Sequence, residues 1–398
     1  MRHFSHIFTA QFWIVVVWVV VLGSGVLIGA SRLYSEQRSV AVDCREEENT
    51  PLCYTRVLNT ALAEKGVGLA LAMAANFYAQ DSGFSEYCHG NLHDIGARAY
   101  EIYHETGDVE ITPKASYCGF GFYHGFMEKM FAESGSLRES RDFCAAVGEK
   151  MRDTQRYAEG ACYHGIGHGV TDGTDPTVWG DPISIVMPGL KLCRQISDTD
   201  EWLMRCASGT FNSLALLYRD AKYKLPTPSD PYAVCETDAF SYSEKEACYS
   251  QMNTLVAFIS DHDAATAVAM TQNIADPELR RIATLNVAAL PHQWGEGEVA
   301  SIPVCRSLGD FGPVCIRGVV AGMMEFGTPG KEADRALAYC NDTSLTPNEK
   351  RECVAEIVVM GSGMFSQDRL KSLCDTIPDD VVPQACRSLS SLLEMYFC

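Results

Sequence analysis

Residues 337–365 read LAYCNDTSLTPNEKRECVAEIVVMGSGMF. Leu337-Ala338-Tyr339-Cys340 has the character of a helix end, and a polar turn follows. Thr346-Pro347-Asn348-Glu349 then supplies what a helix start needs. A hydroxyl accepts from an orphan N–H, proline occupies the first helical position and glutamate the third. Cys353 falls two turns into this second helix. Beyond it, apolar residues recur at three and four as far as Phe365, as a helix packed between others requires. The stretch spells helix, turn, helix, with one cysteine on each arm. A disulfide across so short a loop stabilises by about 3 kcal/mol in the chain-entropy model.

The same grammar recurs. Cys193/Cys206 and Cys235/Cys248 share the gap of 13 positions seen in Cys340/Cys353. Thr199 precedes Asp200-Glu201-Trp202, and Ser241-Tyr242-Ser243-Glu244 is an S-x-x-E capping box. In all three cases the cap stands seven residues before the second cysteine, and Asp379 before Cys386 fits that offset. The remaining cysteines pair in succession as Cys44/Cys53, Cys88/Cys118, Cys144/Cys162, Cys305/Cys315 and Cys374/Cys386, which leaves Cys398 over. Free buried cysteines are the alternative, but these are rarely periodic. Apolar helices are expected at Ser208–Tyr218, Met252–Ile259, Ile316–Phe326, Ala355–Phe365 and Ser388–Phe397. An extra cysteine-free hairpin fits between Cys248 and Cys305, its second helix starting at Asp276-Pro277-Glu278-Leu279. No good period-two strand is visible. The expectation is an all-α protein of at least six disulfide-stapled αα-hairpins, with a repeat of about 40 residues, solenoid-like in character.

The chain has 398 residues and a formal charge of −19, with no Lys/Arg-rich tract. That argues against nucleic-acid binding, which needs a positive field to release phosphate counterions. Phe12–Ala30, FWIVVVWVVVLGSGVLIGA, is apolar throughout and about long enough to span a bilayer as a helix. It predicts an N-terminal signal anchor; a cleaved signal peptide ending near Gly29-Ala30-Ser31 is the rival. Positive charge barely orients it, since Arg2 lies on one side and Arg32 and Arg38 on the other. The 17 cysteines all lie downstream and none forms a C-x-x-C, so the body is expected in an oxidising compartment, periplasmic or extracellular. The implied organisation is a cytoplasmic N-terminus over 1–11, an anchor over 12–30, a linker with the first cysteine pair over 31–55, and a helical-repeat domain over 56–398. That domain has a histidine-rich half, 56–190, and a histidine-poor half, 191–398.

Aligning the repeats exposes a slot. His89-Gly90-Asn91-Leu92-His93, His124-Gly125-Phe126-Met127-Glu128 and His164-Gly165-Ile166-Gly167-His168 all have the form H-G-x-x-[H/E]. Later repeats keep the frame but change the residues: Ser208 and Asn212, then Arg317 and Ala321, then Ala355 and Val359. Residues four apart share a helix face. Each copy therefore presents two ligand-type side chains, and stacked repeats bring three pairs onto one surface. The glycine lets another backbone or a ligand come close. Five of the ten histidines occupy this frame. Neutral imidazole is the commonest metal ligand, and a His/Glu mix suits iron, zinc, manganese or copper. His89, His93, His124, Glu128, His164 and His168 are thus candidate ligands for a divalent transition metal. The competing reading is a set of hydrogen-bonded core histidines copied by descent, with neighbouring carboxylates and Tyr123 and Tyr163 as partners.

Other candidates are weaker. His104-Glu105 reads as a helix end near Gly107, and His262, between Asp261 and Asp263, as a solvated turn. His292 and Trp294 read as a loop plug. Asp172, Asp175 and Asp181 read as an ordinary polar loop, with capping or lining of the site as the alternative. Gly119, Gly121, Gly165, Gly167 and Gly169 follow no strand and lack a P-loop lysine. No H-E-x-x-H, G-x-S-x-G or C-x-x-C-H occurs, and no nucleophile–base pair stands out. The sequence implies a membrane-anchored metal-binding repeat protein, with enzymatic activity left open. The alternative is a non-catalytic scaffold that binds a protein or peptide partner along its repeat surface.

Overall fold

The structure is a computed structural model describing residues 44–47, 49–171, 175–293, 301–377 and 386. The anchor segment Phe12–Ala30 lies outside these residues, as do Asp172, Trp294, Asp379, the expected helix Ser388–Phe397 and Cys398. No described helix is long and apolar enough to cross a membrane. The chain divides into a small unit ending at Val57 and a large one from Leu58. In the small unit Cys44 is bonded to Cys53, and Arg56 pairs with Glu47 at 2.7 Å.

Among the described residues the regular structure is helical, with no strand. The α-helices are α1 (Thr50–Lys65), α2 (Val67–Gln80), α3 (Ser85–Thr106), α4 (Gly121–Glu133), α5 (Leu137–Met151), α6 (Ala158–Thr171), α7 (Pro182–Ile196), α8 (Asp200–Leu217), α9 (Tyr242–Gln251), α10 (Asn253–Ile259), α11 (Ala264–Met270), α12 (Pro277–Gln293), α13 (Ser301–Arg306), α14 (Gly312–Phe326), α15 (Glu332–Cys340), α16 (Pro347–Met364) and α17 (Gln367–Cys374). The caps sit where the sequence places them. Thr199 accepts from Trp202 N, and Ser241 and Thr346 form complete capping boxes with Glu244 and Glu349. Asp276 caps the helix that begins at Pro277.

All eight successive cysteine pairs are bonded, with Cα atoms 5.2–5.7 Å apart. Cys144–Cys162, Cys193–Cys206, Cys305–Cys315 and Cys340–Cys353 tie the first helix of a hairpin to its second. Three pairs depart from that scheme. Cys44 sits in a short 3-10 turn, Cys44–Glu46, ahead of α1. Cys235 sits in a short 3-10 turn, Ala233–Glu236, because no α-helix precedes α9 after Tyr218. Cys88 lies inside α3 and Cys118 in the turn before α4, so this bond joins a helix to a loop. The expected helix Met252–Ile259 forms as α10, Asn253–Ile259, with Met252 capping both the end of α9 and the start of α10.

The second helices pack side by side in chain order: α3 on α4, α4 on α6, α6 on α8, α8 on α9, and α12 on α14 on α16. Glycine permits the close approach. A Cβ on Gly125 would collide with the carbonyl of His93, and one on Gly209 with that of His164. At Gly125, Gly165 and Gly209 the glycine after the slot residue is therefore where the neighbouring backbone passes, whereas Gly90, after His89, faces open space. Arg–Glu clamps join hairpin to hairpin. Arg194 Nε and Nη2 both donate to Glu244 at 2.7 Å, and Arg306 donates likewise to Glu349 at 2.9 and 2.7 Å. Each glutamate also accepts from the backbone N–H of its own capping residue.

The row does not run on as an open array; within the large unit it closes on itself. The Tyr78 hydroxyl donates to the carbonyl of Phe326 at 2.8 Å. Gln155 reaches Met364 O, Arg156 reaches Ser362 O and Tyr157 reaches Val359 O. The early hairpins thus meet the late ones, and their slot faces enclose a cavity of about 500 Å³.

Candidate metal centre

The three H-G-x-x-[H/E] copies fall on α3, α4 and α6, which pack in that order. Their imidazoles converge. His89, His93 and His124 each bring a ring nitrogen within 4.8 Å of the others, and so do His124, His164 and His168. His124, on the middle helix, belongs to both groups. Its ring stacks on those of His164 and His168, with centroids 4.9 and 4.6 Å away. The rings of His89 and His93 approach it edge-on at 5.1 and 5.3 Å. Glu128 does not join either triad. Its Oε2 lies 3.2 Å from His93 Nδ1, behind the ring.

The outward partners fix the tautomers. His89 Nδ1 is 2.8 Å from the carbonyl of Cys118, which can only accept, so Nδ1 carries the proton. The Glu128 carboxylate imposes the same state on His93. His164 Nδ1 is 2.7 Å from Ser208 Oγ, and Ser208 donates its own hydroxyl proton to Arg205 O at 2.6 Å. Ser208 must therefore accept from His164. In all three rings Nε2 is left as a lone pair. Two of these lone pairs, on His89 and His93, face each other at 3.0 Å. His168 Nδ1 contacts Ser213 Oγ at 2.7 Å. His168 Nε2 and His124 Nδ1 are buried with no hydrogen-bond partner.

Electrostatics keep His89, His124, His164 and His168 neutral. Burial lowers the pKa of His124 and His164 well below the ordinary imidazole value, and neighbouring imidazoles add to the effect. Burial also takes His168 down to about 3. His89 keeps contact with the cavity but has protein on most other sides, and burial followed by the charge of His93 lowers it to about 4. Burial pushes Glu128 up most strongly of any single effect, but the hydrogen bond from His93 and the nearby imidazoles of His93, His168 and His89 together outweigh it and hold the carboxyl below its usual range. The result is that His89, His164 and His168 are unprotonated donors supported from behind, as metal-ligating imidazoles generally are, while the equally neutral His124 has no such support.

Local backbone contributes to this arrangement. Cys118, Gly119 and Phe120 all have positive φ, at 58°, 63° and 61°. This costs a non-glycine residue about 1–2 kcal/mol. The turn aims the Cys118 carbonyl at His89, and the bond to Cys88, next to His89 in sequence, holds it there.

Comparison with known protein families, curated proteins and solved structures finds no match. The site is therefore read from its own geometry. His89, His124 and His164 line the cavity, and so does Ser208, the residue that takes the histidine slot in the fourth repeat. The other sequence candidates fall elsewhere. His104 is in the last turn of α3, capped by Gly107. His262 is an exposed, left-handed turn residue, as its sequence reads, at the edge of the cavity and in neither triad. His292 is helical, in the last turn of α12, and so is not part of a loop plug. Asp175 and Asp181 cap helix starts, including that of α7. Tyr163 stacks on Trp202, with centroids 4.9 Å apart. Sequence reasoning missed Ser213, the Cys118 carbonyl and Arg205, a cavity residue with no repeat signature.

Proposed function

We propose that this chain is an extracytoplasmic metalloprotein with a divalent transition ion, of the iron, zinc, manganese or copper class, held by the histidine cluster. The observation that carries this reading is the pair of Nε2 lone pairs 3.0 Å apart on His89 and His93. Two acceptors facing each other repel unless a proton or a cation lies between them. The lowered pKa of His89 disfavours a proton on its own nitrogen near neutral pH. A shared ion satisfies both nitrogens, with His124 completing the triad. The second triad offers an equivalent seat, so the centre takes one ion in either triad, or two if His124 gives up its ring proton to solvent and bridges them as an imidazolate. Glu128 orients His93 from behind, as carboxylates do for zinc-bound histidines.

Each triad supplies three protein ligands, which leaves a coordination position open, as catalytic rather than purely structural ions require. That position has a cavity large enough for a small organic molecule beside it. Eight disulfides support an oxidising location, and Phe12–Ala30 would tether the body to a membrane. The test is elemental analysis of the purified, disulfide-intact ectodomain. Wild type should carry about one or two ions per chain. His124→Ala should lose most of that metal together with the thermal stabilisation it confers, and His262→Ala should lose neither. A metal-free wild type that takes up no added zinc, copper, iron or manganese would overturn the reading.

A further inference from the structure

The cavity contains a cation with no carboxylate in direct contact among the described residues, although Glu325 on the same wall feels its charge at longer range. Most arginines of the later repeats are engaged: Arg194 with Glu244, Arg306 with Glu349, Arg317 with Glu356 and Arg369 with Glu332. Arg205, on α8, is different. It lines the cavity, its Nε is buried, and that nitrogen has no hydrogen-bond partner. Among the described residues no carboxylate lies within ion-pair distance of it. Its position is built. Gly160 leaves room for the side chain, since a Cβ there would lie 3.2 Å from Nε. The Tyr157 ring sits 5.8 Å from the guanidinium carbon. Its neighbours in sequence tie it to the histidine row, because its own carbonyl accepts from Ser208, which in turn accepts from His164.

We infer that Arg205 is the anion anchor of a ligand site in this cavity, and that the ligand is a small organic monocarboxylate. A planar guanidinium fork matches a carboxylate in two parallel hydrogen bonds. A buried donor with no partner costs free energy that such a ligand removes. Phosphate fits less well. Glu325, Glu332 and Glu356 also line the cavity, and Arg369 is already committed to Glu332, so a dianion would meet three carboxylates with Arg205 and the exposed Arg219 as the remaining lining cations among the described residues. The rest of the wall favours an apolar body: Leu285, Ala289, Met324 and Met360 line it, and Leu216 and Phe258 stand exposed at its edge. The carboxylate contact stands by itself. The placement of the ligand body beside the histidines rests on the metal-centre reading.

The test is calorimetric titration of the disulfide-intact protein with benzoate, acetate and inorganic phosphate, both metal-free and zinc-loaded. Benzoate should bind more tightly than acetate, and phosphate should be weakest. Arg205→Gln and Arg205→Lys should each weaken benzoate binding at least tenfold, with unchanged thermal midpoint and metal content. Phosphate binding tighter than benzoate, no binding of any carboxylate by folded wild type, or full benzoate affinity in both variants would each overturn the inference. Benzoate binding that depends on Arg205 in a protein that never takes up metal would remove the metal-centre reading and leave the anchor standing.

Discussion

His164 Nδ1 lies 2.7 Å from Ser208 Oγ, and Ser208 passes its own proton to the carbonyl of Arg205. This relay fixes which nitrogen of His164 faces the cluster. Ser208→Ala removes the acceptor and frees the ring to flip or change tautomer. The fold should persist, since Ser208 is small and the change deletes one oxygen. Metal affinity should fall about 10–100-fold, the usual effect of losing a supporting partner. Competition against a calibrated chelator measures it, and an unchanged affinity would mean that His164 does not ligate.

Acidification should destabilise the metal-free protein before its ordinary carboxylates titrate. Burial holds His168 near 3 and His124 well below normal, whereas unfolded histidine titrates near 6.5. Between those values the unfolded chain binds more protons. This contribution to stability is fully present above about pH 6.5 and is lost as pH falls toward the folded values. Glu159 and Glu325 act in the opposite sense. Burial raises both to about 7, so their contribution declines as pH rises from about 4.5 toward 7. Urea midpoints between pH 7 and 5 should therefore fall more steeply in Glu325→Gln than in wild type, and less steeply in His168→Gln. Identical slopes in all three proteins would contradict the assignment.

Glu244→Gln should cost about 1–2 kcal/mol. Glu244 is fully buried and serves both the Arg194 fork and its own capping box. A completely buried pair would cost more when broken, about 3–5 kcal/mol. Arg194 stays 40% exposed, however, and water takes over part of its solvation. Denaturant unfolding measures the difference, and the neighbouring substitution Lys245→Gln, at a half-buried residue without an ion pair among the described residues, should change it by less than about 0.5 kcal/mol.

Non-reducing peptide maps should recover the linked pairs 193–206, 235–248 and 340–353. Crossed links among those six cysteines would break the repeat register. The Cys88–Cys118 link has a further consequence: Cys88→Ser/Cys118→Ser should release the turn that aims a carbonyl at His89 and so weaken metal binding as well as stability.

The helical hairpins were readable because their signals are local. A cap, a proline and a cysteine at fixed offsets act within two turns of chain, and Thr199, Ser241, Thr346 and Asp276 all cap helices as written. The convergence of the histidines followed from the same periodicity, since equal positions on stacked helices must be neighbours. Cys235 misled because its partner spacing matches the others while the segment before it, rich in Pro and Asp, forms only 3-10 turns. The function of Glu128 was illegible because i and i+4 spacing gives the face of a helix but not which side of a neighbouring ring the carboxylate reaches. Arg205 and the ring closure depend on residues some 200 positions apart, such as Tyr157 and Val359, and no local pattern encodes such contacts.

The contact between Tyr78 and Phe326, together with those joining residues 155–157 to 359–364, has a consequence for how this protein can vary. An open stack can gain or lose a unit at either end and merely become longer or shorter. A closed circuit has no free end at which to do so: removing one hairpin leaves a gap that the rest can fill only by changing every angle between neighbours. The number of hairpins is then as much a part of the specification as any side chain, and duplications that an open array would tolerate become lethal to the interior space. Chain breaks behave differently, because a circuit opened at one exposed turn and sealed at another keeps its count.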